Sequence, residues 1–137
     1  AHAVVTGAAV AVAPRRAAAA APFRSLTFDN LHTGEKLDVE YVNRGEYVPD
    51  ALSAVNHLLR DFRTGDLHDI DPALLDVLFD VHHLARSRRP FEVISGYRSP
   101  ATNAMLHRRS EGVASGSLHM QGKAIDIRLG DVPLEPS

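Results

Sequence analysis

Ser117-Leu118-His119-Met120-Gln121-Gly122-Lys123-Ala124-Ile125-Asp126-Ile127 sets a histidine and an aspartate seven residues apart, with two small residues, Gly122 and Ala124, between them. From Gly122 to Leu129 the pattern predicts a strand. Side chains alternate along a strand, so Gly122, Ala124 and Asp126 share one face and Lys123, Ile125 and Ile127 the other. The two isoleucines suit a face covered by helices. The opposite face is nearly bare, which leaves room beside the sheet, and the Asp126 carboxylate points into that room. His119, just ahead of the strand, can reach the same space. A neutral imidazole and a carboxylate are a good pair for Zn2+. Spacing alone leaves a structural alternative open, in which Asp126 pairs with a nearby arginine and His119 caps the loop.

This half-site needs a second element, and Ser95-Gly96-Tyr97-Arg98-Ser99-Pro100 supplies it. Phe91, Val93 and Ile94 predict a short strand running into it. Ser99 then caps, and Pro100 opens, a helix to about Ser110, stopped by Gly112, with Met105 and Leu106 as its core contacts. Arg98 stands at the corner between strand and helix, where a side chain projects from a rigid support. Beside a zinc site, an arginine can hold a substrate carboxylate or stabilise the oxyanion formed when water attacks a carbonyl. Taken alone, Arg98 could equally form a salt bridge to a loop acid.

Upstream, the periodicity predicts two helices and a hairpin. Asp71-Pro72 starts one helix, an N-cap followed by proline at the first helical position, with Leu74, Leu75, Leu78, Val81, His82 and Ala85 on its buried face and Pro90 as its end. His83 lies on the other side near Asp76 and Asp80, as a surface ion pair or as a metal ligand oriented by one of those carboxylates. Pro49-Asp50 starts the other helix, with Asp50 as N-cap, a stripe of Leu52, Val55, Leu58, Leu59 and Phe62, and Gly65 as its end. Leu26 and Phe28, then Leu37, Val39 and Tyr41, alternate on either side of the turn residues 30–35 and predict a hairpin over 25–48. His32 falls in its turn.

Residues 1–22 are low in complexity. The apolar stretch Ala3–Ala13 is shorter than the ~20 residues that span a bilayer, and its length and Ala11-Val12-Ala13 ending suit the core and cleavage region of a secretory signal. The expectation is a signal-peptide remnant or an Ala/Pro-rich linker outside the fold, with one domain over 23–137 and no stable membrane insertion.

Formal net charge is −2 over 137 residues, and no global field calls for nucleic acid or an anionic membrane. With no cysteine and eight histidines, disulfides, thiolate metal sites and a cysteine nucleophile are excluded, and a transition metal would need His and carboxylate ligands. Nothing in the sequence specifies an oligomeric state.

Together, Ile94-Ser95-Gly96-Tyr97-Arg98-Ser99-Pro100, Thr102-Asn103, Gly112-Val113-Ala114 and Ser117-x-His119-x-x-Gly122-x-Ala124-x-Asp126 resemble the zinc murein endopeptidases related to D-Ala-D-Ala carboxypeptidases, in their exported, peptidoglycan-trimming branch. The resemblance runs over about residues 26–134 and is strongest over 94–127. It implies a small α+β fold, an antiparallel sheet backed by helices. It implies His119 and Asp126 as zinc ligands, Arg98 as the group that faces substrate and polarises the scissile carbonyl, and Ser117 near the peptide. The implied cofactor is Zn2+, the implied partner peptidoglycan stem peptides, and the implied location the periplasm or cell envelope.

One departure matters. In that family a third zinc ligand, a histidine, and the groups that handle the proton follow the aspartate on a later strand. Only eleven residues follow Asp126, and none is histidine. The expectation is a C-terminally truncated copy missing its last strands, with His82, His83 and His107 as poor substitutes because each sits on a helix. Three readings therefore compete: a zinc-dependent murein endopeptidase hydrolysing amide bonds in peptide cross-links, a non-catalytic peptidoglycan-binding module with an incomplete metal site, and a fragment without an independent role.

Overall fold

The computed structural model describes residues 8–11, 21–109 and 116–132. Its strands are β1 (Ala8–Ala11), β2 (Arg24–Asn30), β3 (Lys36–Asn43), β4 (Glu46–Tyr47), β5 (Phe91–Ser95) and β6 (Ala124–Arg128). Its helices are α1 (Pro49–Leu58), α2 (Pro72–Ala85) and α3 (Pro100–Arg109), and a 3-10 turn covers Leu118–Gln121. The strands form one sheet in the order β1-β6-β5-β2-β3-β4, so the α+β class holds.

The sheet is not wholly antiparallel. β2 and β5 run parallel, with Phe28 opposite Phe91, while the other neighbours are antiparallel. Between β2 and β5 the chain passes through β3, β4, α1 and α2. A crossover of that length returns it in the same direction, which a short hairpin cannot do.

Alternation places Leu26, Phe28, Phe91, Val93, Ile125 and Ile127 on the buried face, against Val55, Leu58, Leu59, Leu74, Leu75 and Leu78 from the helices. The predicted hairpin is present as β2 and β3. Its turn is organised by Asn30, a buried residue whose Oδ1 accepts the N–H groups of His32 and Thr33 while its Nδ2 donates to the Leu58 carbonyl. His32 is exposed and stacks on Phe62.

Helix boundaries depart from expectation in three places. Val48, not Asp50, is the N-cap of α1, and Pro49 takes the first helical position. α1 stops at Leu58 rather than at Gly65, because residues 61–66 close a separate turn: Asp61 N–H donates to Asp66 O and Gly65 N–H to Asp61 O. Gly65 serves that turn with φ +82°. α2 begins as predicted, with Asp71 Oδ1 accepting from Ala73 N–H, but ends at Arg86 in the left-handed region, ahead of Pro90. Asp76, expected near His83, instead takes Arg24 and the hydroxyls of Tyr41 and Tyr47, and so ties α2 to three strands.

In α3 the buried side chains are Thr102 and Asn103, while Met105 and Leu106 are only half-buried. The inward side of this helix is polar because it serves the Arg98 corner. Gly112 and most of the small-residue loop lie outside the described residues. At the other end of the chain, Ala8–Ala11 pairs antiparallel with β6, Ala9 opposite Asp126. The expectation that residues 1–22 stand outside the fold therefore fails for these four. A short alanine-rich segment has no strand signal of its own and acquires strand geometry from the partner it lies along.

Candidate functional site

His119 is carried on the 3-10 turn rather than on a strand. Ser117 caps the turn, its Oγ accepting the His119 N–H at 3.1 Å, and Gly122 closes it in the left-handed region at φ +67°. The expectation that Gly122 leaves open room beside the sheet is overturned: a Cβ there would collide with the Asp69 carbonyl oxygen, and Asp71 N–H donates to Gly122 O at 2.9 Å. The glycine permits backbones to touch, and that contact locks the far end of the turn.

The corner after β5 is pinned to the same turn. Arg98 N–H donates to His119 O at 3.1 Å and Tyr97 N–H to Leu59 O at 2.7 Å. Gly96 lies so close to Leu59 that an added Cβ would stand 2.5 Å from its carbonyl oxygen. The Gly96 carbonyl oxygen lies 2.9 Å from His119 Nδ1. A carbonyl only accepts, so Nδ1 carries the proton and Nε2 offers a lone pair. This is the orientation in which a backbone carbonyl prepares an imidazole to bind a metal.

That lone pair faces Asp126. His119 Nε2 and Asp126 Oδ2 are 3.4 Å apart, with the imidazole nine-tenths buried and the carboxylate about a quarter exposed. With Nδ1 bonded to a carbonyl, two acceptors meet here unless a proton or a metal stands between them. Two ligands at the usual zinc distances of ~2.0–2.2 Å, in tetrahedral array, lie about 3.4 Å from each other. The pair therefore fits Zn2+ as two of its ligands. Among the described residues no group of three or more His, Asp or Glu side chains is placed to hold a metal. His82 turns Nε2 to Arg89 O and His83 turns Nδ1 to Phe79 O, away from the site.

Arg98 completes the triangle. Its Nη2 lies 4.0 Å from Asp126 Oδ2 and its Nη1 donates to Asn103 Oδ1 at 3.1 Å. The side chain is only one-tenth exposed, and its Nε finds no acceptor. Burial draws the guanidinium pKa below its ordinary value, and the Asp126 charge opposes that shift. Ser117 is half-exposed, and its hydroxyl is engaged as the cap of the His119 turn. Nearby, His68 stacks on Tyr97 at 4.7 Å and lines a cavity of about 430 Å³ with Asn56, His57 and Asp69. That cavity is not lined by His119, Arg98 or Asp126.

Of two buried polar residues at this corner, Asn103 was quoted from the sequence only as part of the family motif and Asp61 was not singled out at all. Asp61 is fully buried and accepts the N–H groups of Arg63 and Ser99, each at 2.9 Å. Asn103 holds Arg98. The signal for Asp61 was an acid between Leu59 and Phe62, inside an otherwise apolar stripe. Asn103 stands one helical turn beyond the Ser99 cap.

The sequence model of the family described as peptidoglycan L,D-endopeptidase MepK matches residues 18–136. The chain belongs to that family. Peptidoglycan L,D-endopeptidase MepK of Escherichia coli K12 is 40% identical over 132 residues, 96% of this chain and 72% of the relative. The probable peptidoglycan L,D-endopeptidase MepK of Haemophilus influenzae is 44% identical over 112 residues, 81% of this chain and 60% of the relative. No solved structure matches. MepK-family membership bears out the murein endopeptidase resemblance carried by residues 94–127.

Proposed function

We propose that this chain is an exported peptidoglycan endopeptidase domain that hydrolyses amide bonds of the L,D class in stem-peptide cross-links, with zinc as its metal. The observation that carries the reading is the 3.4 Å approach of His119 Nε2 to Asp126 Oδ2 beside the Arg98 guanidinium. The L,D class is supported by the printed names of the relatives, and zinc by the family resemblance and by the donor geometry. A zinc ion in such a site supplies Lewis acidity and makes water a nucleophile at neutral pH. His119 and Asp126 would hold it. Arg98 would steady the carbonyl oxygen as charge develops on it, or take a stem carboxylate. Ser117 fixes the His119 turn and would border the peptide. Water adds across the C–N bond, giving a carboxylate and an amine. Among the described residues no helix is long and apolar enough to cross a membrane, and a place in the periplasm or cell envelope is supported by the peptidoglycan substrate in the relatives' names.

A second reading has its own observation. His119 and Asp126 gather no third His, Asp or Glu among the described residues, which favours a peptidoglycan-binding module. Zinc stoichiometry, measured beside hydrolysis of purified muropeptide dimers, separates the two. One tightly bound zinc and cleavage, both lost in His119→Ala, support the enzyme. Binding to sacculi without zinc or cleavage supports the module.

A further inference from the structure

Asp61 is a carboxylate with no exposed surface, and no Lys, Arg or His side chain forms an ion pair with it among the described residues. A buried charge without a counter-ion is expensive unless hydrogen bonds replace its water. Here they do. Oδ2 accepts from Ser99 N–H and Oδ1 from Arg63 N–H. The Ser99 hydroxyl in turn bonds Thr102 Oγ1 and accepts the Thr102 N–H. Both carboxylate oxygens face N–H donors, so an acceptor-only group is required. An asparagine in the same pose would turn an NH2 against one of those donors.

The donors show what the carboxylate holds. Ser99 follows Arg98 directly, and Arg98 is tied on its other side to His119 O and through Nη1 to Asn103. Three fixed points thus hold the Arg98 corner: the His119 turn on its main-chain N–H, the buried Asp61 on the next N–H, and Asn103 of α3 on the guanidinium itself. We propose that Asp61 is a positioning residue for Arg98, fixing through the Ser99 N–H the corner from which the guanidinium meets Asp126. The inference rests on the reading that Arg98 faces substrate. Hydrogen bonding outweighs burial and holds the Asp61 carboxyl below its ordinary value, which keeps it ionised at neutral pH.

The test follows the 15N NMR signal of the Arg98 Nε–H in the native protein and in Asp61→Asn, and muropeptide-dimer hydrolysis by Asp61→Asn made in both the native and the Arg98→Lys backgrounds. The Arg98 signal should shift while those of Arg24 and Arg60, held by Asp76 and Glu35, stay in place. Hydrolysis should fall about tenfold in kcat with little change in KM, and the loss should shrink in the Arg98→Lys background. Thr102→Val, which weakens the tether and spares the carboxylate, should give a smaller shift of the same sign and covers the case in which Asp61→Asn does not fold. An unmoved Arg98 signal, or an equal loss of rate in both backgrounds, overturns the proposal. A native protein that cuts no dimer overturns the endopeptidase reading instead, and the Arg98 signal then decides the positioning role by itself.

Discussion

His119 is held at both ring nitrogens: Nδ1 lies 2.9 Å from the Gly96 carbonyl oxygen, and Nε2 faces Asp126 Oδ2 across 3.4 Å. The first contact sets the tautomer and the second sets the direction of the free lone pair. The imidazole is thereby oriented as the proposed metal site requires.

Replacing either donor should empty the site. Asp126→Asn removes the anionic ligand at nearly constant volume. Its zinc affinity, read by calorimetric titration, should fall by more than the roughly 10–100-fold typical of a lost outer-shell partner. Retained affinity would place the metal elsewhere.

Arg98 should resist conservative replacement. A lysine ammonium cannot reach Asn103 and the region of Asp126 together as the planar fork does. Arg98→Lys should lower kcat about 10²–10³-fold, the range for loss of one oxyanion donor. Steady-state kinetics on muropeptide dimers check this, with zinc content expected to be unchanged.

Gly96→Ala tests the packing beneath the site. The added methyl would press on the Leu59 carbonyl and Cβ and disturb the Tyr97 N–H to Leu59 O bond. Overpacking of this kind costs about 1–3 kcal/mol, readable as a lower urea midpoint. Since the Gly96 carbonyl also orients His119, zinc affinity should fall with it.

Asp61 gives the protein an acid limb. Burial pushes its carboxyl up, but hydrogen bonds from Ser99, Thr102 and Arg63 outweigh this and hold it below its ordinary value. The folded value lies below the unfolded one, so the stabilisation is complete above about pH 5 and is lost as pH falls through and below about 4. Asp61→Asn should cost about 1–3 kcal/mol at pH 7. The gap to the native chain should narrow in denaturant titrations taken toward pH 3.

Tyr47 gives an alkaline counterpart. Burial, then the hydrogen bond to Asp76 and that residue's charge, push its phenol up to about 12. Above about pH 10 the unfolded chain loses this proton while the native one keeps it, so stability falls as pH rises toward 12. Tyr47→Phe should show a flatter decline of the thermal midpoint between pH 9.5 and 11.5.

The meeting of His119 with Asp126 was legible because it follows from local rules. Alternation aims Asp126, a turn capped by Ser117 and closed by Gly122 brings His119 alongside, and a glycine-arginine-proline corner presents Arg98. The parallel pairing of β2 with β5 was not legible, since it depends on where four intervening elements pack. Asp61 escaped notice for the same reason: its partners Ser99 and Thr102 lie far along the chain, and nothing in Leu59-Arg60-Asp61-Phe62 announces them. Asp50 failed as a cap because Pro49 had already entered the helix, which moved the boundary to Val48. The polar inner side of α3 could not be read from a weak apolar pattern.

β1 has a consequence for how the chain can be handled. Ala8–Ala11 lies along the side of β6 that β5 does not cover. Trimming the chain past Ala11 would strip that side and leave the hydrogen-bonding groups around Asp126 open to any passing extended segment. Proteolytic shortening should therefore make the protein self-associate through the strand that carries its site.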